Sequence, residues 1–317
     1  MIHTSRWSAV VPALFTCLYL SACGGGSSSS SSSNPPAITA TVPSEAGAPQ
    51  VTGNLATDSV NWFNFRRQQI GLTVLTRNSV IDVAAQNHSQ YQKLNNSVTH
   101  SEIAGRSGFT GIDALARMNQ VGYSFSPLFA YAYGEVISGS SATTGASHAE
   151  ELINAIYHRF VIFEPMFKEI GSGASTGTNS FTYITTNFAA NNGFGPGIGK
   201  GKIITYPYAN QKQISTVFFS DQESPDPVPN QNAVGFPISV HADITGNVTV
   251  QQFTVQQHGG LALPVILLSK ATDLETPSSA AAIIPLNILA AGTLYDVQFI
   301  GNVDGVPVSQ SWSFTTK

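Results

Sequence analysis

The sequence predicts an α+β chain of two folded bodies, a helix-rich one containing a strand pair and an all-β one behind it. Three observations carry this. Between residues 58 and 190 apolar residues recur at helical spacing. From Asn191 to Lys202 the chain is a glycine-rich break, Asn191-Asn192-Gly193-Phe194-Gly195-Pro196-Gly197 at its start. Beyond it, short alternating runs separated by turn residues read as strands. A chain of 317 residues without an internal repeat also agrees with two domains.

In the first body, Asp58 or Ser59 is positioned to cap a helix carrying Trp62, Phe63, Ile70 and Val74. A second helix runs from Ser79 to Leu94. Its face of Val80, Ala84, Ala85, His88 and Tyr91 implies burial against a sheet, which makes His88 a core histidine rather than a ligand. A third, short helix spans Gly111 to Val121. Ser147-His148-Ala149-Glu150 fits a capping box that opens a helix bearing Leu152, Ile153, Ile156 and Tyr157. Phe167 to Gly173 and Phe181 to Phe188 read as paired strands joined by Thr176-Gly177-Thr178-Asn179.

The second body contains strand-like runs at Val234 to Ala242, Val248 to Gln256, Leu263 to Leu268, Leu294 to Phe299 and Val308 to Thr316. Tyr295, Val297 and Phe299 share one face, as do Trp312 and Phe314, the pattern of strands with one buried side. This predicts a β-sandwich. His241 and His258 are isolated there and read as surface residues.

The first residues set the expected compartment. Arg6 precedes an apolar stretch from Ser8 to Leu20, too short to span a bilayer and ending in Leu20-Ser21-Ala22-Cys23, which reads as an export signal. The small residues before Cys23 resemble a bacterial lipobox, implying cleavage before Cys23 and lipid on its sulfur, hence membrane attachment. Gly24 after the cysteine resembles the pattern of outer-membrane lipoproteins of the bacterial cell envelope. Gly24 to Gly26, serine from Ser27 to Ser33, and Asn34-Pro35-Pro36 have nothing to bury and read as a tether. The only cysteines are Cys17 and Cys23, so the processed chain has no disulfide and no catalytic or metal-binding thiolate. The net charge of −4, with no basic run, gives no footprint for nucleic acid.

Two histidines and a carboxylate are the candidate site: His100 in Thr99-His100-Ser101-Glu102, Glu135 in Gly134-Glu135, and His158 in Tyr157-His158-Arg159. These residue types supply a zinc-type first shell if the fold gathers them. Glu151 lies seven residues before His158, two helical turns, and is the candidate fourth ligand. Glu102 is positioned to support His100 through a hydrogen bond. Glu150 fits better as the capping-box partner of Ser147. Arg66 and Arg67 read as a solvated or structural pair, and Arg159 as a salt-bridge or helix-end residue. Ser101 adjoins His100, but no Gly-x-Ser-x-Gly elbow is present.

In order, Asn64-Phe65-Arg66-Arg67 with Gly71-Leu72, Ala84-Ala85-Gln86-Asn87-His88-Ser89 with Tyr91, Thr99-His100-Ser101-Glu102, Gly122-Tyr123, Gly134-Glu135, His158-Arg159 and Phe167-Lys168-Glu169-Ile170-Gly171-Ser172-Gly173 resemble the CAP superfamily. This superfamily, also called SCP-like, includes cysteine-rich secretory, antigen 5 and pathogenesis-related proteins. The resemblance covers about residues 57–190 and implies an α-β-α sandwich around an antiparallel sheet. It further implies a cleft lined by two histidines and two glutamates that can hold zinc, with His100, Glu135 and His158 as the matching residues. Val136 departs from the family's asparagine after the glutamate, and the Trp usual shortly before the second histidine is missing, Ile156-Tyr157 leading directly into His158. Gly292-Thr293-Leu294-Tyr295, Trp312-Ser313-Phe314-Thr315-Thr316 and the lead-in Ser224-Pro225-Asp226-Pro227 resemble bacterial Ig-like domains.

The expected organisation is a signal at residues 1–22, a tether at 23–56, the CAP domain at 57–190, a glycine-rich linker at 191–210 and the Ig-like sandwich at 211–317. Two functions follow. The first, which is favoured over an enzyme, is a surface-tethered binding or structural protein that takes a lipid, cell-wall or protein ligand in the His/Glu cleft, with or without a metal there, the Ig-like domain serving as spacer or adhesive module. The alternative is metal-dependent hydrolysis at the cell envelope.

Overall fold

The structure is a computed structural model, and it describes residues 2–5 and 45–317. The apolar signal stretch, Cys17, the lipobox with Cys23 and the Gly/Ser/Pro tether through residue 44 lie outside the described residues.

The first region is organised by a five-stranded sheet. In chain order its elements are β1 (Ile2–Ser5), α1 (Leu55–Gln69), β2 (Thr76–Arg77), α2 (Ser79–Asn95), α3 (Ala114–Gln120), β3 (Tyr131–Ser140), α4 (Gly145–Asn154), α5 (Ile156–Ile162), β4 (Glu169–Thr176) and β5 (Thr182–Ala190). The strand order is β1-β3-β5-β4-β2. All pairings are antiparallel except β2 with β4, so the expected antiparallel sheet carries one short parallel edge.

Alternation along the strands creates the layers. On β5, Phe188 enters the core built with α1 and α4, whereas Ala189 enters a separate cluster with Ile81, Ala84 and Met118 of α2 and α3. Helices thus cover both faces. On β4, Gly171 and Gly173 allow close approach of α2: a Cβ on Gly173 would lie 2.2 Å from the Gln86 backbone.

Several caps differ from expectation. Asn54, not Asp58 or Ser59, caps α1 by accepting from Thr57 N, while Asp58 accepts from Thr52 and Gly53. Thr144 caps α4, so Glu150 is not a capping-box partner. Instead Glu150 accepts from Trp62 Nε1 at 2.6 Å and from Arg66 Nη2 at 2.9 Å. Arg66 and Arg67 are both buried, because carboxylates and backbone carbonyls replace their hydration.

The expected single helix after residue 147 is two. Ala155 adopts φ −75°, ψ 122°, which ends α4 and starts α5.

The second region is all strand apart from one 3₁₀ turn at Ser220–Gln222. Its strands are β6 (Ile204–Tyr206), β7 (Gln211–Ile214), β8 (Phe218–Phe219), β9 (Ala233–Val234), β10 (Ile238–His241), β11 (Val248–Gln257), β12 (Val265–Ser269), β13 (Ala280–Pro285), β14 (Leu294–Val303) and β15 (Val306–Thr316). They form two four-stranded sheets, β12-β13-β10-β6 and β11-β14-β15-β7, and a β8-β9 pair. Val240 and Ile283 from one sheet share a core with Val297, Phe299 and Phe314 from the other. β6 lies inside the stretch read as linker and pairs with β10.

His241 is buried, not a surface residue. It sits edge-on to Phe160 and Phe163 of the first region, with Nε2 2.9 Å from Ser239 Oγ. His258 is exposed and pairs with Asp296.

Candidate functional site

The sheet brings His100 and Glu135 together and joins them to Arg117, which the sequence did not single out, while Glu102 serves His88 rather than His100. His100 Nδ1 lies 2.9 Å from Glu135 Oε1. Arg117, on α3, donates from Nη2 to both Glu135 oxygens at 2.8 and 2.7 Å and from Nη1 to the His100 carbonyl. Arg117 Nε approaches Glu102 Oε1 at 4.0 Å, and Glu102 accepts from Gly111 N and sits 2.8 Å from His88 Nδ1. His88 is a core residue, as expected, with Nε2 against the Thr99 carbonyl. The chain His88-Glu102-Arg117-Glu135-His100 is therefore one buried network in which each charge has a partner.

Electrostatics follow from this packing. Burial favours a neutral Glu135, but Arg117, His88 and His100 outweigh it and hold the carboxyl well below the usual range. Burial lowers the basicity of His100 against the opposing pull of Glu135, and His158 adds a smaller lowering.

His158 has a different partner. Its Nδ1 is 3.0 Å from Oε1 of Glu223, which comes from the strand-rich region. Glu223 also accepts the backbone N–H groups of Ile156, Tyr157 and His158 at 2.8, 2.6 and 3.2 Å. It is buried and caps α5 where Ala155 has no side chain able to do so. His158 Nε2 is buried without a hydrogen-bond partner. Glu151, the candidate fourth ligand, accepts from Ser140 Oγ at 3.0 Å.

A zinc first shell does not fit these placements. Among the described residues, no three His, Cys, Asp or Glu side chains are arranged to hold a metal ion. Glu135 is held by Arg117, whose charge would repel a cation beside it. Strand alternation also matters: Glu135 is on the β3 face toward α3, whereas Val136 and Ser138 face α4.

The strand-rich region closes against the first. Arg159 donates to the Ile153 and Asn154 carbonyls that end α4, as a helix-end residue, and also to the Pro237 carbonyl at 2.7 Å, and it stacks on Tyr206 and Phe236; these contacts, not a salt bridge, hold it. Burial lowers it to about 10. Glu164 accepts from Ile244 N at 2.9 Å. Beside this junction lies a cavity of about 700 Å³, walled by Ser138, Glu151 and His158 from one region and Lys212, Ile214 and Phe218 from the other. That volume is in the range of small-molecule sites.

Sequence reasoning missed Arg117 and Glu223. Arg117 carries a weak signal, a cation in a short helix that has to pack on the sheet. Glu223 carries none, because 65 residues separate it from His158.

Residues 60–188 match the model of the CAP family, described as the cysteine-rich secretory protein family, and this region is a CAP (SCP-like) domain. No curated protein matches the chain. Among solved structures, an extracellular SCP-domain protein from Bacillus anthracis str. Ames is 20% identical, with 42% of this chain and 39% of that chain covered and a TM-score of 0.35. The chain thus spans about two fifths of that relative. An outer surface protein from Borrelia burgdorferi is 14% identical, with 42% and 89% covered and a TM-score of 0.35. Venom allergen-like protein 4 from Schistosoma mansoni is 16% identical, with 43% and 88% covered and a TM-score of 0.29.

Proposed function

We propose that this chain is an exported bacterial envelope protein, lipid-anchored through Cys23, that binds a small lipid or cell-wall ligand between its CAP domain and its C-terminal strand-rich region. The observation that carries the binding reading is the 700 Å³ cavity, whose walls come from both regions. Apolar residues such as Ile214 and Phe218 line it together with serines and His158, which suits a ligand with an apolar body and a few polar groups. On this reading the C-terminal region, an Ig-like module by its sequence, completes the site as well as spacing it from the membrane. Among the described residues no helix is long and apolar enough to cross a bilayer. Cleavage before Cys23 would remove β1 and leave the Tyr131–Gly134 edge of β3 open.

Binding is tested with the full chain in detergent, titrated by calorimetry with palmitate and, separately, with muropeptides released from sacculi by lysozyme. Saturable one-to-one binding of either, lost in Val217→Trp at the cavity wall, supports the reading; no binding of both overturns it. Anchoring is tested by radiolabelled palmitate incorporation, which Cys23→Ser should abolish.

A further inference from the structure

The cavity wall holds a serine, backed by a buried histidine, that the binding reading does not use. Ser138, near the end of β3, places Oγ 2.7 Å from Nδ1 of His148 on α4. His148 Nε2 lies 3.1 Å from the Ala142 carbonyl, which can only accept. That contact fixes the proton on Nε2 and leaves the Nδ1 lone pair for the serine. A hydroxyl donating to an imidazole whose far nitrogen is held by an acceptor is the arrangement that activates a serine nucleophile. Ser140 Oγ is also near Nδ1, at 3.3 Å, but donates to Glu151 Oε2 at 3.0 Å. Ser138 is therefore the hydroxyl aligned with the base.

We propose that Ser138 and His148 form a metal-free catalytic dyad that hydrolyses carboxylic esters admitted to the cavity. Ser138 Oγ bonds to the ester carbonyl carbon as its proton passes to His148 Nδ1. The tetrahedral adduct collapses by breaking the bond to the alcohol oxygen, which takes the proton from His148 and leaves. Water then attacks the acyl-serine, its proton passing through His148 back to Ser138 Oγ as the carboxylic acid is released. No oxidant, reductant or metal enters. His158 shares this wall and has an unpartnered buried Nε2, with Nδ1 engaged by Glu223.

The proposal rests on the cavity admitting ligand, and the test separates the two. The full chain is treated with a fluorophosphonate and the adduct mapped by peptide mass spectrometry, alongside turnover of p-nitrophenyl acetate. The expected result is one adduct on Ser138, with turnover reduced at least 100-fold in Ser138→Ala and His148→Gln and unchanged in Ser141→Ala. An adduct on Ser140, no adduct on folded protein, or full turnover in folded His148→Gln would each overturn the dyad. Palmitate or muropeptide binding retained alongside such a result would leave the cavity reading standing. Mapping on the unmodified sequence decides the matter if either variant fails to fold.

Discussion

Glu223 and His158 meet at 3.0 Å across the junction of the two regions, with the same carboxylate capping the first turn of α5. A single side chain from the strand-rich region therefore fixes a helix start and a histidine orientation in the CAP domain. Glu223→Ala should leave three backbone donors and an imidazole N–H without an acceptor and cost about 3 kcal/mol of stability. Urea unfolding measures this, and a loss under about 0.5 kcal/mol, typical of neutral surface changes, would contradict it.

Arg117 holds Glu135 in the interior. Arg117→Leu leaves that carboxylate buried beside His100 alone and should cost about 3–5 kcal/mol. In the double variant Arg117→Leu/Glu135→Leu the lone charge is gone, so the double should be more stable than the single. Chemical denaturation of both variants checks the order.

Acid should weaken the fold through two buried histidines. Burial, with a further push from Arg159, lowers His241 to about 3, and burial lowers His148 to about 4, against an ordinary 6.5. Between those values the unfolded chain binds more protons than the folded one. Stability therefore falls as pH drops below about 6.5, and the loss is complete near pH 3–4. A fully buried group with the His241 shift contributes on the order of 3 kcal/mol of this loss between pH 7 and pH 4. His241→Gln removes that titration, so the gap in unfolding free energy between the two pH values should narrow; an unchanged gap would exclude His241 as a source.

Gly173 should tolerate no Cβ. Gly173→Ala would place a carbon 2.2 Å from both Cα and N of Gln86, backbone that cannot rotate aside. Separating α2 from β4 should cost about 1–3 kcal/mol, as overpacking does. Thermal unfolding reads the effect, and a melting temperature equal to the parent would show that α2 shifts freely.

Much of the first region was legible because its signals are local. The face of α2 with Ala84, Ala85, His88 and Tyr91 is buried as its periodicity requires, whereas Val80, read on the same face, is exposed in the first turn; the β5 segment pairs with β4 as expected. In the second region, β11, β14 and β15 show the alternation of half-buried strands. β13 escaped notice: all of Ala280–Pro285 is buried, so it has no alternation, and alanines give no strand preference.

The sequence by itself determined most of the helices, the β4–β5 pair and the half-buried strands of the second region, though not β3 or the break between α4 and α5, because periodicity, turn residues and the ordered CAP motifs act over a few residues. It also paired His100 with Glu135 as candidates, and the structure places them in contact. Only the tertiary structure decided the partners of buried charge. Arg117 on Glu135, Glu150 on Trp62 and Arg66, and Glu223 on His158 are set by which surfaces dock. Burial is the physical reason: a charge leaving water takes whatever partner the fold delivers, and no local pattern records a partner many residues away.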